Sequence, residues 1–414
     1  MNDKEKNWFD YMCDLSIIGL LTALFAFSTN AKNVFIPLEA LFLATFGIRF
    51  LVRRSKLSLY TVWSIGLVVL ALISTTYAPN ESEARRLAIS VIQVVLFGNL
   101  LLPYFRDLEA NIHIFLHGIM IAAFALLFRI FVSTPLDVLL ATRWGSTVSI
   151  NANQVGLILA FGSLVALYYG ITLRKLVFLL PALIFGLSSL FSGSRKAIVI
   201  IVLGSLILIL LTRKATFSSI FELSISLLVL LGILYLSFTW EPLYKVLGNR
   251  IETLVSFFTE GETDGSTSVR FEMIEKGWEM ALERPVLGHG LASFAELAGY
   301  GFYAHNNYIE LLFSLGFVGL LWYYIFIAKL GVHAIVQLFS GNKNKLLVLV
   351  VTCIVVLMVD DIGRVRYYNE FSHMLFALGY AIIQLGHPQS GPDLQSILVQ
   401  IIHWFQNPKG IKQD

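Results

Sequence analysis

Charge is what this 414-residue chain has least of: only 14% of its residues are Asp, Glu, Lys or Arg, where soluble domains carry about 25%. A surface so poor in charge is ill-suited to water, which excludes an ordinary soluble protein. Cysteine is nearly absent as well. Cys13 and Cys353 stand alone in or beside apolar stretches, which excludes a disulfide framework and a cysteine metal site. No Walker-type loop and no Gly-x-Gly-x-x-Gly fingerprint occurs, so the common nucleotide-binding designs are excluded and no cofactor is expected. No Asp-x-Asp or His-rich pattern marks a metal. No long Lys/Arg run points to nucleic acid, and the formal net charge is only +3.

Apolar sequence fills the space these absences leave, with 57% of residues hydrophobic. A span needs about 20 apolar residues, and lipid offers backbone groups no partner, so spans are helices. The expected fold is all-α: a single polytopic membrane domain over 1–414 with about twelve transmembrane helices. They fall near 14–28, 34–51, 59–77, 87–104, 112–132, 152–171, 175–191, 196–211, 220–238, 308–331, 346–359 and 371–385. No small-residue cleavage site follows the first, so it reads as a retained helix. No internal repeat is visible. The tail, 386–414, contains an amphipathic stretch at 394–405 suited to a membrane surface.

Lys and Arg set the orientation. With the N-terminus in the cytoplasm, Arg49, Arg53, Arg54, Arg106, Arg174, Lys175, Arg213, Lys214 and Lys409 fall on inner loops or the tail, as the positive-inside rule requires. Both termini are then cytoplasmic. Arg143, Arg195, Arg270, Arg284, His305, Arg364 and Arg366 all fall on the outer face, against the charge bias. An anionic ligand accounts for that; so does the ordinary solvated charge of outer loops. Ionisable groups are scarce at mid-span, which argues against an ion-coupled transporter.

Three outer-face segments can carry chemistry. The largest polar interruption, 240–305, is expected to be an extracytoplasmic loop. Within it Phe271, Ile274, Trp278 and Leu282 recur at helical spacing, which predicts an amphipathic helix packing this stripe on the bundle, with Arg270 at its start. Ser192-Gly193-Ser194-Arg195-Lys196-Ala197 joins two apolar helices. Ser194 is a good N-cap, and a helix N-terminus with an adjacent arginine suits phosphate; a capped hairpin with snorkelling side chains fits equally. Ala304-His305-Asn306-Asn307-Tyr308 stands where the tenth span begins. His305 there is placed for proton transfer near neutral pH, or is a solvated residue beside a cap. His289, between two glycines, is the rival base. Weaker signals are a short surface or re-entrant helix within 134–150, and the run Asp360, Asp361, Arg364, Arg366, Tyr367 and Tyr368, readable as a sugar-binding surface or as mutual ion pairs.

These motifs together resemble the O-antigen polymerase and ligase superfamily. The resemblance rests on Ser-Gly-Ser-Arg-Lys-Ala at 192–197, on Arg270 leading to Trp278 and Pro285-Val286-Leu287-Gly288-His289-Gly290, and on His305-Asn306-Asn307-Tyr308 followed by Leu315-Gly316-Phe317-Val318-Gly319-Leu320. It covers the second half of the chain. It implies a metal-independent, C-type membrane glycosyltransferase in the bacterial inner membrane, with its active site on the periplasmic face. The donor would be an undecaprenyl-pyrophosphate-linked oligosaccharide and the acceptor a sugar hydroxyl. Arg195 and Arg270 would bind the pyrophosphate, and His305 would be the catalytic base. Arg284, Arg143 and Arg366 are further substrate-binding candidates. A chain-length regulator and a flippase are partners the resemblance implies. Lys196 and the modest length favour a polymerase of O-antigen or capsule over a ligase acting on lipid A-core. A flippase or exporter of the lipid-linked glycan is the reading of a different class.

Overall fold

Helix forms at almost every segment the apolar pattern marks. The computed structural model describes residues 6–27, 31–52, 57–212, 231–232, 234–260, 265–342 and 344–386. The principal helices in the first half are α1 (Trp8–Ala26), α2 (Lys32–Val52), α3 (Leu59–Ser74), α4 (Glu81–Asp107), α5 (Glu109–Ser133), the short α6 (Leu136–Ala141), α7 (Ala152–Leu173), α8 (Leu179–Leu190) and α9 (Arg195–Thr212). The second half adds α10 (Asn249–Glu260), α11 (Gly265–Ala281), α12 (Ser293–Leu297), α13 (Asn307–Phe339), α14 (Leu346–Asp360) and α15 (Glu370–Gly386). No strand occurs among the described residues. Seven of these helices (α1, α2, α4, α5, α7, α9 and α13) are long and apolar enough to cross a membrane. The chain is therefore an all-α polytopic membrane protein. Each expected span except the ninth coincides with a helix. The ninth, 220–238, lies mostly outside the described residues, as do 387–414 with the amphipathic stretch 394–405.

Side-chain caps fix several helix starts. Ser58, Asn80, Asn151 and Asn306 each accept a backbone N–H from the first turn that follows, which satisfies a donor the helix cannot. Large apolar side chains such as Phe128, Leu183 and Ile325 remain exposed around the bundle, as a lipid-facing surface allows. At the end of the bundle where α1 and α14 begin and α4 ends, Arg49 is buried and bridges Asp10 and Asp107, each at 2.6 Å. It was expected on a solvated loop; instead it ties α1, α2 and α4 together.

One interruption matters for the site. Helix α13 breaks at Gly316 (φ 65°, ψ −168°). The segment 285–290 inserts into the break and replaces the hydrogen bonds the helix loses. Phe317 N–H donates to the Pro285 carbonyl at 2.7 Å and Val318 N–H to that of Val286 at 3.2 Å. The carbonyls of Phe313 and Ser314, released from those two donors, accept from His289 N–H at 2.8 Å and Gly290 N–H at 2.9 Å. A backbone break near lipid is tolerable only when its polar groups are paired in this way. A side chain on Gly316 would place its Cβ 2.3 Å from the Val286 carbonyl. The two glycine-containing motifs are thus one stitched unit that sets α11 against α13.

The amphipathic helix is present as α11, but its inner face is not the expected one. Of the expected stripe only Ile274 packs inward, half-buried; Phe271, Trp278 and Leu282 are exposed, while Met273, Gly277 and Ala281 are buried. Gly277 decides the matter: a Cβ there would lie 2.4 Å from Ile309 Cγ2, so this face approaches α13 too closely for a large side chain. Its partners are Phe294, Ile309 and Phe313. Phe271 and Trp278 therefore face outward. Arg270 precedes Met273 by three residues and Gly277 by seven, so it shares the inward face.

Candidate active site

His305 is the conformational exception around which the site is built. Its φ is +52°, a left-handed backbone that costs a non-glycine residue about 1–2 kcal/mol and persists only where the surroundings enforce it. The enforcement is visible on both sides. Before it, Ala304 N–H donates to the buried Glu310 carboxylate at 2.8 Å, and Ser314 Oγ–H donates to the same group at 3.3 Å. After it, the Asn306 amide donates to the Ile362 carbonyl at 3.2 Å while its oxygen caps Ile309 N–H at 3.0 Å. Asn307 N–H donates to the Asp361 carbonyl at 2.8 Å. The Asn307 side-chain oxygen accepts from Arg366 N–H at 2.7 Å and Tyr367 N–H at 3.2 Å. The segment 304–307 is clamped to 361–367, and the imidazole between the clamps is held without a hydrogen bond of its own among the described residues.

The ring is half-buried beside Tyr303, 4.4 Å between centroids, and Phe302, 5.6 Å. Burial, then the charge of Arg270, then that of Lys196 push its pKa down from the ordinary 6.5 to about 4. At neutral pH it is an uncharged imidazole, able to accept a proton. The same interactions show which cations surround it. Lys196 opens the second turn position of α9 and reaches across to 360–364: its ammonium lies 2.9 Å from the Gly363 carbonyl and 3.2 Å from the Asp360 carboxylate. Arg270 and Arg364 both lie within its Coulombic reach. Arg195, half-buried, is the residue before Lys196 at the start of α9, behind Ser192 and Ser194, which are buried. Arg143 is half-buried against this turn, donating to the Ser192 carbonyl at 2.8 Å and to the Asn153 side-chain oxygen at 3.1 Å.

Histidine and two of the predicted cationic segments therefore converge, while other predicted residues stand apart or are otherwise engaged. Arg284 is exposed three residues beyond the far end of α11, whose eleven-residue stretch from Arg270 to Ala281 is about 16 Å long; it lies near Tyr77. Arg366 is 1% exposed and committed to Asp361, at 2.9 Å from Nε and 2.6 Å from Nη2, with Asp360 3.7 Å from Nη1. The run 360–368 is chiefly an ion-paired brace rather than an exposed sugar-binding surface. His289 is buried, stacked on Phe313 at 4.7 Å, with Nε2 2.8 Å from the Met280 carbonyl. A carbonyl can only accept, so that nitrogen holds the proton and the ring serves packing.

Sequence reasoning named Arg195 and Arg270 for the site but gave Lys196, which acts on His305 together with Arg270, no binding role. It gave none to Glu310 or Tyr324 either, and it read Asp361 as an ion-pair partner or part of a sugar-binding surface. Tyr324 donates to Asp361 at 2.9 Å and accepts from the Asn307 amide at 2.9 Å. An available signal was the spacing of Glu310, six residues after Ala304 and one turn into an apolar helix, where a carboxylate needs a donor to justify burial. The described residues hold no cluster of three or more His, Cys, Asp or Glu with metal-ligating geometry.

A search of curated proteins found no match. Residues 180–324 match the family model described as O-antigen ligase. That segment contains Arg195, Lys196, Arg270, the stitched glycine motifs and His305, so the match falls on the residues that carry the resemblance to the O-antigen polymerase and ligase superfamily.

Proposed function

We propose that this protein is a metal-independent membrane glycosyltransferase that moves a glycan from an undecaprenyl-pyrophosphate carrier to a sugar hydroxyl. The supporting observation is an uncharged imidazole with no hydrogen bond to a described residue, set beside Arg270 and Lys196. In this reading His305 takes the proton of the acceptor hydroxyl. The oxygen attacks the anomeric carbon as the bond from that carbon to the pyrophosphate oxygen breaks, and the electron pair leaves on the pyrophosphate. Arg195, Arg270 and Lys196 stabilise the charge that develops there. A single displacement inverts the anomeric centre. Arg143 is a positioning residue for the turn before Arg195. Glu310, Asn306 and Asn307 hold the His305 backbone.

The acceptor class we favour is a second carrier-linked chain, which makes the protein a polysaccharide polymerase working on the outer face of a bacterial inner membrane. Both termini would then be cytoplasmic, and 240–305 would be periplasmic. Ligation to lipid A-core is the second reading, favoured by the description of the family model that residues 180–324 match. Gene deletion separates them. Loss of a polymerase leaves lipopolysaccharide capped with one repeat, or no capsule; loss of a ligase leaves bare core and polymer retained on the carrier. Purified protein given carrier-linked repeat units in the presence of a chelator tests the enzyme itself. Longer glycan and released carrier pyrophosphate are expected. Transport into vesicles without turnover would replace the enzyme with a flippase.

A further inference from the structure

A cavity of about 170 Å³ lies beside the cationic cluster, where α1 ends and α7 and α15 begin. Its volume is far above the ~10–15 Å³ that one water needs. Arg364 is the shared wall: it lines this cavity and also lies within Coulombic reach of Lys196. The opening turns of α7 bring the two sites together, since a Cβ on Gly156 would lie 2.3 Å from Ser192 Oγ and 2.9 Å from Ser194 Cβ.

Of the polar side chains that line the cavity, those of Ser149, Gln154 and Arg364 make no side-chain hydrogen bond or ion pair to a described residue, and the Glu370 carboxylate accepts from its own backbone N–H. Gln154, Arg364 and Glu370 are half-buried, so their polar groups are open to a hydrogen-bonding ligand that enters the cavity. The aromatic rings of Phe25, Phe161 and Phe371 form the apolar part of the wall, Phe371 standing edge-on to Phe25 at 4.8 Å and to Phe161 at 5.3 Å. Charge decides the ligand class. Arg364 and Glu370, both in the wall, carry opposite charges within Coulombic reach of each other, and Arg366 is already neutralised by Asp361, so the cavity is close to balanced. An anion is better served on the other side of Arg364, by Lys196 and Arg270. A carboxylate, an amide and a guanidinium around aromatic rings suit a ring that carries hydroxyls on its edge and C–H groups on its faces.

We propose that this cavity holds one uncharged sugar ring of the glycan substrate, with Gln154, Glu370 and Arg364 bonding its hydroxyls. The assignment deepens the glycosyltransferase reading and rests on it for the identity of the substrate. The ring could belong to donor or acceptor, and kinetics separates those sources.

The test uses the full protein in lipid nanodiscs, with methyl glycosides of neutral hexoses and N-acetylhexosamines as one set of probes and inorganic pyrophosphate as the other. Saturation-transfer NMR is expected to show a neutral glycoside binding to wild type and equally to His305→Ala. Gln154→Leu and Glu370→Gln should each weaken it about tenfold, the loss of one or two hydrogen bonds, with pyrophosphate binding unchanged. Glu370→Gln is isosteric and carries the test alone if Gln154→Leu does not fold. In turnover assays the same variants raise KM for the acceptor if the ring is the acceptor's, or for the carrier-linked donor if it is the donor's. The inference is overturned if no neutral glycoside binds wild type while pyrophosphate does, or if both variants bind glycosides as wild type does. Loss of pyrophosphate binding alone, with glycoside binding intact, would count against the transferase reading instead.

Discussion

The protonation state of His305 is the most exposed part of this chemistry. Burial and two neighbouring cations disfavour the imidazolium and hold the pKa near 4 rather than 6.5. At pH 5 about 90% of molecules then carry a neutral ring, against about 3% for an ordinary histidine, a roughly thirtyfold difference in competent base. The acid limb of kcat/KM, which reports groups of the free enzyme, is expected near pH 4. Substituting Arg270→Gln or Lys196→Gln removes a positive neighbour, so the limb should move up in pH. It should stop short of 6.5, because burial is the largest cause and remains. Imidazole NMR on histidine-labelled protein reads the same midpoint without needing turnover, and His305→Asn identifies the resonance among the eight histidines. A wild-type midpoint near 6.5, or one that Arg270→Gln leaves in place, would refute the electrostatic account of the site.

The two histidine motifs should part cleanly: His305→Ala should lower turnover about 10²–10⁴-fold, whereas His289→Phe, which keeps the stack on Phe313, should change it only a few-fold and lower thermal stability through the lost bond to Met280. Gly316→Ala should destabilise by more than about 2 kcal/mol, because a left-handed φ and a backbone contact act together; a scan of heat-induced aggregation reads this, and a wild-type midpoint would count against the stitched unit. Asp361→Ala strands the buried guanidinium of Arg366 and should destabilise by about 3–5 kcal/mol, with Asp361→Ala/Arg366→Met recovering much of the loss in the same scan.

What the sequence made legible follows from which forces are local. Span positions depend on runs of apolar residues, and lipid forces helix on any such run, so both ends of α5 and the start of α13 were close to readable, whereas α4 begins and α13 ends well beyond the expected runs. The helix start after His305 was readable because a cap acts within four residues, and Asn306 makes it. The face of α11 was not. Phe271, Ile274 and Trp278 make a stripe by every local measure, yet a membrane protein can present aromatic side chains outward, and the inner face went to Gly277 because α13 passes so close. Arg49 was misplaced for a related reason: it looked like an inner-loop charge and is buried by Asp10 and Asp107, both remote in sequence. For Arg366 the ion-pair reading of the 360–368 run was the one that held, with Asp361 in the adjoining turn as its partner.

The site itself was half legible, and the missing half explains why the rest works. A histidine before an Asn-capped helix and arginines on one face could be seen in the sequence. What could not be seen was that His305 is held in a left-handed backbone by groups from two other places, the Glu310 carboxylate and the 361–367 brace. That arrangement assigns a function to charges that otherwise look redundant. Asp361 neutralises Arg366 and receives Tyr324, so Arg366 can offer its backbone N–H to Asn307 from a rigid position. Asp360 anchors Lys196 and leaves Arg270 as the guanidinium nearest the ring in electrostatic effect. Asp360 and Asp361 therefore do not cancel the positive charge around His305 uniformly. They pair with the cations that brace the backbone and leave Arg270 to act on the imidazole, a division of labour that suits the transfer proposed above.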